Sequence, residues 1–251
     1  MNIIQDIIGV NKEIIPKGIK LTLNNWPIIF TGFVYAIILG VLWRVAFMFS
    51  ILAGIIITLV QGALFSNYLY LIENIIRYGK IDFEDFKNGF KVYTGKIYGI
   101  LVVIWFVNYG AGLFLRPLLN IQLGFISLWT ILLIAAFILL NCLPEVIYQK
   151  HCHVADSFTY SFEFIKENWL DWLLPNVILL GAFVWLTGSG LNPSAILGRG
   201  LFALSTQSII GYAVGQLLLS FIMVYRGLLF NILSTTSRRK RMFMRNTYNK
   251  M

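Results

Sequence analysis

Charged residues are scarce in this sequence of 251 residues: only 12% are Asp, Glu, Lys or Arg, whereas 58% are hydrophobic. A soluble domain of this size needs far more charge to cover its surface. The scarcity therefore excludes a soluble globular protein. It predicts an all-α integral membrane protein, because long apolar segments satisfy their own backbone in lipid as helices.

Cysteine and histidine are also rare, with two of each in the sequence. The two cysteines, Cys142 and Cys152, lie near one end of the same predicted helix, which favours reduced thiols over a disulfide. Both histidines fall in "HCHVAD" (151–156), where a spacing of two makes them diverge on a helix. A catalytic zinc site needs three converging ligands, so we predict no metal, no cofactor and no enzymatic activity.

Six apolar runs are long enough to cross a bilayer at about 20 residues each. They occupy roughly 27–48, 51–76, 97–117, 124–148, 172–190 and 205–233. The first 20 residues lack the features of a signal peptide, so the first spanning helix is expected to direct insertion. An even number of spans predicts that both termini lie on one side of the membrane.

Basic residues predict which side that is. The net charge is +9, and nearly all Lys and Arg fall at one face of the predicted bundle. By the positive-inside rule, both termini are expected in the cytoplasm of a bacterial cell, with the chain in the cytoplasmic membrane. Topology thus explains the excess of positive charge, and no nucleic acid partner is expected.

An internal repeat is visible when the chain is aligned with itself at an offset of 72. This offset pairs Glu73 with Glu145, and Arg44 with Arg116. "LNNWP" near the start resembles "KENWL" in the last third. These matches predict three copies, about 1–80, 81–152 and 153–235, in a single membrane domain (1–235) followed by a basic cytoplasmic tail (236–251).

Each copy is expected to begin with an amphipathic helix that precedes a two-helix hairpin. In "IDFEDFKNGFKVYTGK" (81–96), Phe83, Phe86 and Phe90 share one helical face opposite a charged face, and Asp82 can act as the N-cap. The third copy has the same design around 156–169, and the first has isoleucines before a break at Pro16. Such helices are too charged to span, so we expect them in the headgroup layer.

"RYGKIDFEDFKNGF", "LPEVIYQK" and "SFTYSFEFIKENW" together resemble a bacterial family of six-helix membrane proteins of unknown function. That family is similar to the membrane domain of some glycerophosphodiester phosphodiesterases. The resemblance covers most of residues 1–235 and implies the six-helix fold. It implies no catalytic residues, and Glu145 stands where the family usually has glycine.

Intramembrane charges are the strongest functional candidates, since each is costly without a partner. Glu73 and Glu145 share a repeat position, and Arg226 lies near the third. We hypothesise that the three meet around a pseudo-threefold axis, where they would gate a cavity or bind a headgroup. A structural ion pair, or side chains that snorkel to the interface, explains the same pattern.

Two further basic sets are candidate lipid contacts. On the outer side, Arg44, Arg116 and Arg199 are candidate contacts for an anionic ligand such as a lipid phosphate, and ordinary interfacial anchoring is the alternative explanation. In the tail, anionic lipid is expected to meet Arg238, Arg239, Lys240 and Arg241, unless the segment is only a topogenic signal.

The sequence therefore predicts a non-enzymatic membrane protein that binds or moves a lipid or amphipathic substrate, as an accessory in envelope handling or export. The alternative is a structural or regulatory subunit that partners a transporter ATPase, another membrane protein or a second copy. A membrane-embedded enzyme is the remaining alternative. A cavity at the charge cluster would favour lipid binding or transport, whereas a packed centre with an exposed apolar flank would favour the partner subunit.

Overall fold

The computed structural model describes residues 3–115, 121–123, 126–187, 209–238 and 240–241. Helices dominate these residues, and six helical segments are long and apolar enough to cross a membrane, the fourth of them (Leu128–Gln149) being made of two consecutive helices. In chain order the elements are α1 (Ile3–Asn24), α2 (Pro27–Ala46), a 3₁₀ segment (Phe47–Leu52), α3 (Ala53–Tyr78), α4 (Phe83–Val92), α5 (Thr94–Phe114), β1 (Gln122–Leu123), β2 (Ile126–Ser127), α6 (Leu128–Leu139), α7 (Leu143–Gln149), α8 (Val154–Thr187) and α9 (Ile209–Thr235). The prediction of a multi-pass helical protein is thereby confirmed.

The fourth span differs from its prediction at both the start and the middle. A short antiparallel pairing of β1 with β2 precedes it, so the helix begins at Leu128 rather than near 124. The span is then interrupted between Leu139 and Leu143, which divides it into α6 and α7. Pro144 explains the interruption, because its ring excludes the carbonyl four residues earlier and it has no N–H to donate.

The predicted break at Pro16 is wrong. Helix α1 continues through Pro16, although proline costs about 3 kcal/mol in a helix interior. Burial compensates: Ile7, Val10 and Ile14 are buried on one face of α1. This face packs against α9, where Gly18 lies beneath the ring of Phe221, so tertiary contact maintains a helix that the local sequence disfavours.

The core lies where α3, α7 and α9 contact one another. These are the second span, the end of the fourth and the sixth, and each contributes fully buried side chains such as Leu69, Ile72, Val146, Tyr148, Val224 and Phe230. Helix α2 packs against both α3 and α9. By contrast, every residue of α5 from 101 to 109 is exposed, and α6 has no buried residue.

Two asparagines mark corresponding junctions at the start of the first and fifth spans. Asn25 separates α1 from α2, and its amide donates to the carbonyls of Leu21 and Gly79, both at 2.9 Å. Its oxygen accepts from the backbone of Ile81 at 2.9 Å. Asn168 likewise donates to the carbonyl four residues earlier, at 3.2 Å, and interrupts α8 with non-helical backbone angles.

The predicted third elbow is present as a helix before the fifth span. Residues 154–167 are helical, and the non-helical angles of Asn168 separate them by a kink from the helix that follows, so α8 comprises two helices joined at that residue. The position of the first of them in the headgroup layer remains a prediction.

Hydrogen bonds from side chains of α3 to the backbone of α4 hold the two helices together. Asp82 and Asp85 form the reciprocal capping box at its N-terminus, which confirms the predicted N-cap. Ser66 donates to the carbonyl of Gly89 at 2.8 Å, and Asn67 donates to the carbonyl of Phe86. At Gly89 a β-carbon would lie 3.1 Å from the Cα of Asn67, so the approach requires glycine.

The variant Gly89→Val is expected to destabilise the protein by about 1–3 kcal/mol, because the added side chain would push α4 off α3. Gly95→Val is the matched control, since a β-carbon at Gly95 meets no atom within 4 Å. Thermal unfolding in a mild detergent measures the difference. Equal melting temperatures for the two variants would contradict the close contact.

Candidate functional site

Two of the three predicted intramembrane charges meet in a bidentate ion pair. The Nε of Arg226 lies 2.7 Å from Oε1 of Glu145, and its Nη2 lies 2.9 Å from Oε2. The Glu145 side chain is fully buried. A guanidinium and a carboxylate in this geometry satisfy each other better than any other charged pair, which is what makes burial tolerable.

The interrupted fourth span completes the environment of Arg226. Its Nη2 donates to the backbone carbonyl of Asn141 at 2.6 Å, and its Nη1 donates to the Asn141 side chain at 3.2 Å. Trp172 donates to the same side-chain oxygen at 2.9 Å, and its ring lies 5.0 Å from the guanidinium carbon. The break before Pro144 thus supplies a free carbonyl to a buried cation.

Glu73 has other partners. Its carboxylate pairs with Arg77, one turn further along α3, at 2.9 Å, and accepts a hydrogen bond from the hydroxyl of Tyr93. The hypothesis of one three-residue cluster is therefore replaced by two separate ion pairs. Glu73 pairs with Arg77 rather than with Arg226, because a partner four residues along the same helix is available without any tertiary packing.

The outer-side arginines do not form a described site. Arg44 lies in the last turn of α2 and is exposed. Arg116 and Arg199 lie outside the described residues. The proposed anion contact at these three positions remains a prediction.

The basic segment after α9 is folded back onto the protein. Arg241 is buried and pairs with Asp6 of α1 at 3.1 Å and with Asp171 of α8 at 3.5 Å. Arg238 also pairs with Asp171, at 2.7 Å. Of the predicted lipid contacts, Lys240 is exposed, and Arg239 lies outside the described residues. Arg238 and Arg241 therefore act first as links between α1, α8 and the end of α9.

A polar groove, hereafter the α8–α9 groove, lies beside these links. It comprises a cavity of about 360 Å³ and an adjoining one of about 110 Å³, both open to the surface. Acidic and hydroxyl side chains line most of it: Tyr160, Glu163, Glu167, Asn168, Asp171, Ser234, Thr235, Thr236, Ser237 and Arg238. Sequence inspection missed this site, because its two walls are more than 60 residues apart.

Two buried polar atoms at the groove lack a hydrogen-bond partner among the described residues. They are Oδ1 of Asp171 and Nε of Arg238, on either side of the same ion pair. A buried polar atom left without a partner costs about 1–3 kcal/mol. Both atoms belong to the Arg238–Asp171 ion pair and neither has appreciable exposed surface, so they are part of this buried link rather than of the groove's open surface.

An apolar stripe begins at the groove and follows α8. Leu174, Ile178 and Trp185 lie three, seven and fourteen residues after Asp171, on the same face of the helix. Ile178 is 65% exposed and Trp185 is 81% exposed. Polar groove and apolar stripe together form an amphipathic surface.

The remaining candidates have structural roles. Cys142 and Cys152 are free thiols. Lys96 donates to the carbonyls of Val146, Ile147 and Lys150 at 3.0–3.3 Å and so caps the C-terminus of α7. No group of three His, Cys, Asp or Glu side chains suited to a metal occurs in the part of the chain that the structure describes.

Comparisons of the chain with protein-family profiles, with curated proteins and with solved structures find no match. The resemblance to a six-helix membrane family therefore remains a prediction.

A double-mutant cycle tests the separation of the two ion pairs. Glu145→Gln and Arg226→Gln are each expected to cost about 3–5 kcal/mol, because each leaves the other partner buried and uncompensated. The double variant should lose clearly less unfolding free energy than the sum of the losses in the two single variants. Glu73→Gln should be additive with Arg226→Gln within about 0.5 kcal/mol, as expected for residues without a shared partner.

Unfolding in detergent micelles measures these free energies. Strong coupling between Glu73 and Arg226 would contradict the separation and restore the single cluster.

Proposed function

We propose that this chain is a non-enzymatic membrane protein that binds a lipid or a related amphiphile at the α8–α9 groove. One observation carries the proposal: a polar, ligand-sized cavity opens beside an exposed apolar stripe on the same helix. A headgroup would occupy the groove while its acyl chains lie along Leu174 and Ile178. Both parts of an amphiphile are thereby accommodated without unpairing any described ion pair.

The centre of the bundle supports a location at the groove rather than at the predicted charge cluster. Glu145, Trp172 and Tyr148 are almost completely buried around Arg226, and every polar group of the guanidinium has a partner there. A conduit through this point would require breaking a bidentate buried pair. The ion pair joins α7 to α9, and the ligand is expected at the periphery of the bundle.

We further propose that the protein lies in a bacterial cytoplasmic membrane with both termini in the cytoplasm. The lopsided distribution of Lys and Arg supports this orientation. Asp6 of α1 and Arg241 after α9 are in contact, which supports placing the two ends of the chain on one side. The three-copy repeat is likewise a proposal, and the interruptions at Asn25 and Asn168 before the first and fifth spans suit its first and third copies. The groove would then face the inner leaflet.

A partner subunit is the second candidate, and α5 is the observation that favours it. Residues 101–109 are exposed around the whole circumference of the helix, including the aromatic rings of Trp105, Phe106 and Tyr109. Spanning helices normally bury one face against a neighbour. The packed centre and this exposed flank together meet the condition stated above for a partner subunit, which would pack against a transporter subunit or a second copy.

Lipid retained through purification tests the proposed function. Protein extracted from native membranes into a maltoside detergent is expected to carry one lipid class, enriched over the bulk membrane at a fixed ratio to protein. Ser234→Phe should remove this lipid, because Ser234 lines both cavities of the groove. Thr58→Phe, on an exposed face of α3, is the matched control and should retain it.

Mass spectrometry of the extracted lipids provides the measurement. Co-purified lipid with the same composition as the bulk membrane, unchanged by Ser234→Phe, would contradict binding at the groove. Co-purification of a stoichiometric protein through α5, without enriched lipid, would favour the partner subunit instead.

A further inference from the structure

We infer that the protein pairs with a second copy of itself through α5, and that the side-chain amide of Asn108 in each copy hydrogen-bonds to Asn108 of the other. Of the two kinds of partner proposed for α5, this pairing selects the second copy, and it is independent of the ligand at the α8–α9 groove. It follows from an amide without a described partner, from the spacing of the residues around that amide and from the orientation that two copies share in one membrane.

Asn108 places a polar amide in the middle of an apolar helix. It lies 14 residues after Thr94, about 21 Å along α5, in a segment long and apolar enough to cross a membrane. Its side chain is exposed and makes no hydrogen bond within the described part of the chain, whereas Asn67 and Asn141 each bond to a neighbouring helix. Hydrocarbon offers neither water nor a hydrogen-bonding group, so the Asn108 amide is satisfied only by a partner that supplies a donor and an acceptor.

The residues around Asn108 have the spacing of a seam between two helices. Ile97, Leu101, Ile104, Asn108 and Ala111 follow one another at alternating intervals of four and three residues, which is the heptad pattern of a coiled coil. Ile97 is buried in the protein's own bundle, but Leu101 and Ile104 are 36% and 41% exposed. The stripe is therefore packed at its beginning, and its remainder, hereafter the α5 seam (Leu101, Ile104, Asn108 and Ala111), is open to a second helix.

A second copy fits the α5 seam because it brings the same amide to the same depth. Copies of one membrane protein insert with one topology, so two α5 helices that meet in a membrane are parallel. A two-fold axis along the membrane normal then places Asn108 opposite Asn108, and an amide is self-complementary because it carries both N–H donors and an acceptor oxygen. One asparagine at a seam position also fixes the register and the number of helices. A different protein would need its own polar group at this depth, whereas a second copy has it by symmetry.

Small residues beside Asn108 allow the two helices to approach closely. Ala111 and Gly112 follow it by three and four residues, on the same side of α5. A β-carbon at Gly112 would meet no described atom within 4 Å, whereas one at Gly99 would lie 2.6 Å from Val154 of α8. Gly99 thus serves a contact within the chain, and Gly112 is available for contact with a second copy. Small residues of this kind are enriched where membrane helices pack.

Disulfide cross-linking of the full-length protein in native membranes tests the interface. The native thiols are first removed by Cys142→Ala and Cys152→Ser. Ala111→Cys then places a thiol on the α5 seam, where two parallel helices bring equivalent β-carbons within reach of a disulfide. A mild oxidant is expected to convert this variant to a covalent dimer. Phe106→Cys, on the opposite face of α5, is the matched control and should remain monomeric under the same conditions.

Association of fluorescently labelled copies in lipid vesicles measures the contribution of Asn108. Asn108→Leu should weaken the association about tenfold, as expected from the loss of an interhelical hydrogen bond. Asn108→Gln keeps the amide and should retain most of the association. Asn108 is exposed, so both variants are expected to fold. Phe106→Leu is the matched control and should leave the association unchanged.

The outcomes separate this pairing from the proposed function. Monomers in vesicles, equal cross-linking of the two cysteine variants, or unchanged association of Asn108→Leu would overturn the pairing while lipid binding at the groove stands. A different protein that co-purifies and is released by Asn108→Leu would overturn the second copy as the occupant of the α5 seam. Dimers that retain lipid only in bulk proportions would support the pairing and contradict the groove ligand.

Discussion

The buried pair between Arg226 and Glu145 fixes the arrangement of the other elements. A guanidinium in an apolar bundle must keep its carboxylate, so α7 and α9 cannot slide or rotate relative to each other. Helix α3 packs against both of them. The position of α9 then determines where the chain leaves the bundle, and this brings Arg238 and Arg241 to Asp171 and Asp6.

The centre and the periphery of the protein differ in how completely their charged groups are paired. The centre is closed, because the guanidinium is satisfied by Glu145, by Asn141 and by the ring of Trp172. Further out, Asp171 shares one oxygen between two arginines and leaves the other without a partner among the described residues. The axis is therefore held by a paired guanidinium, whereas a groove opens to the surface beside the kink at Asn168.

The sequence was informative where local rules decide the structure. Apolar length predicted the six spanning helices, and Asp82 as N-cap predicted the start of α4. The repeat offset also pointed to Glu145 and Arg226, which the structure brings together. It failed at Glu73, where Arg77 is a nearer partner, and at Pro16, where tertiary packing maintains the helix. Contacts between Asp6 and Arg241, 235 residues apart, leave no local pattern to read.

We propose that the axis is sealed and that the ligand lies at the α8–α9 groove. A cryo-electron microscopy structure of the protein in nanodiscs made from native lipids would test this. We expect headgroup density in the groove beside Glu167 and Ser234, acyl density along Leu174 and Ile178, and unbroken contact between Glu145 and Arg226. Lipid or a water-filled path at Arg226, with the groove unoccupied, would contradict it.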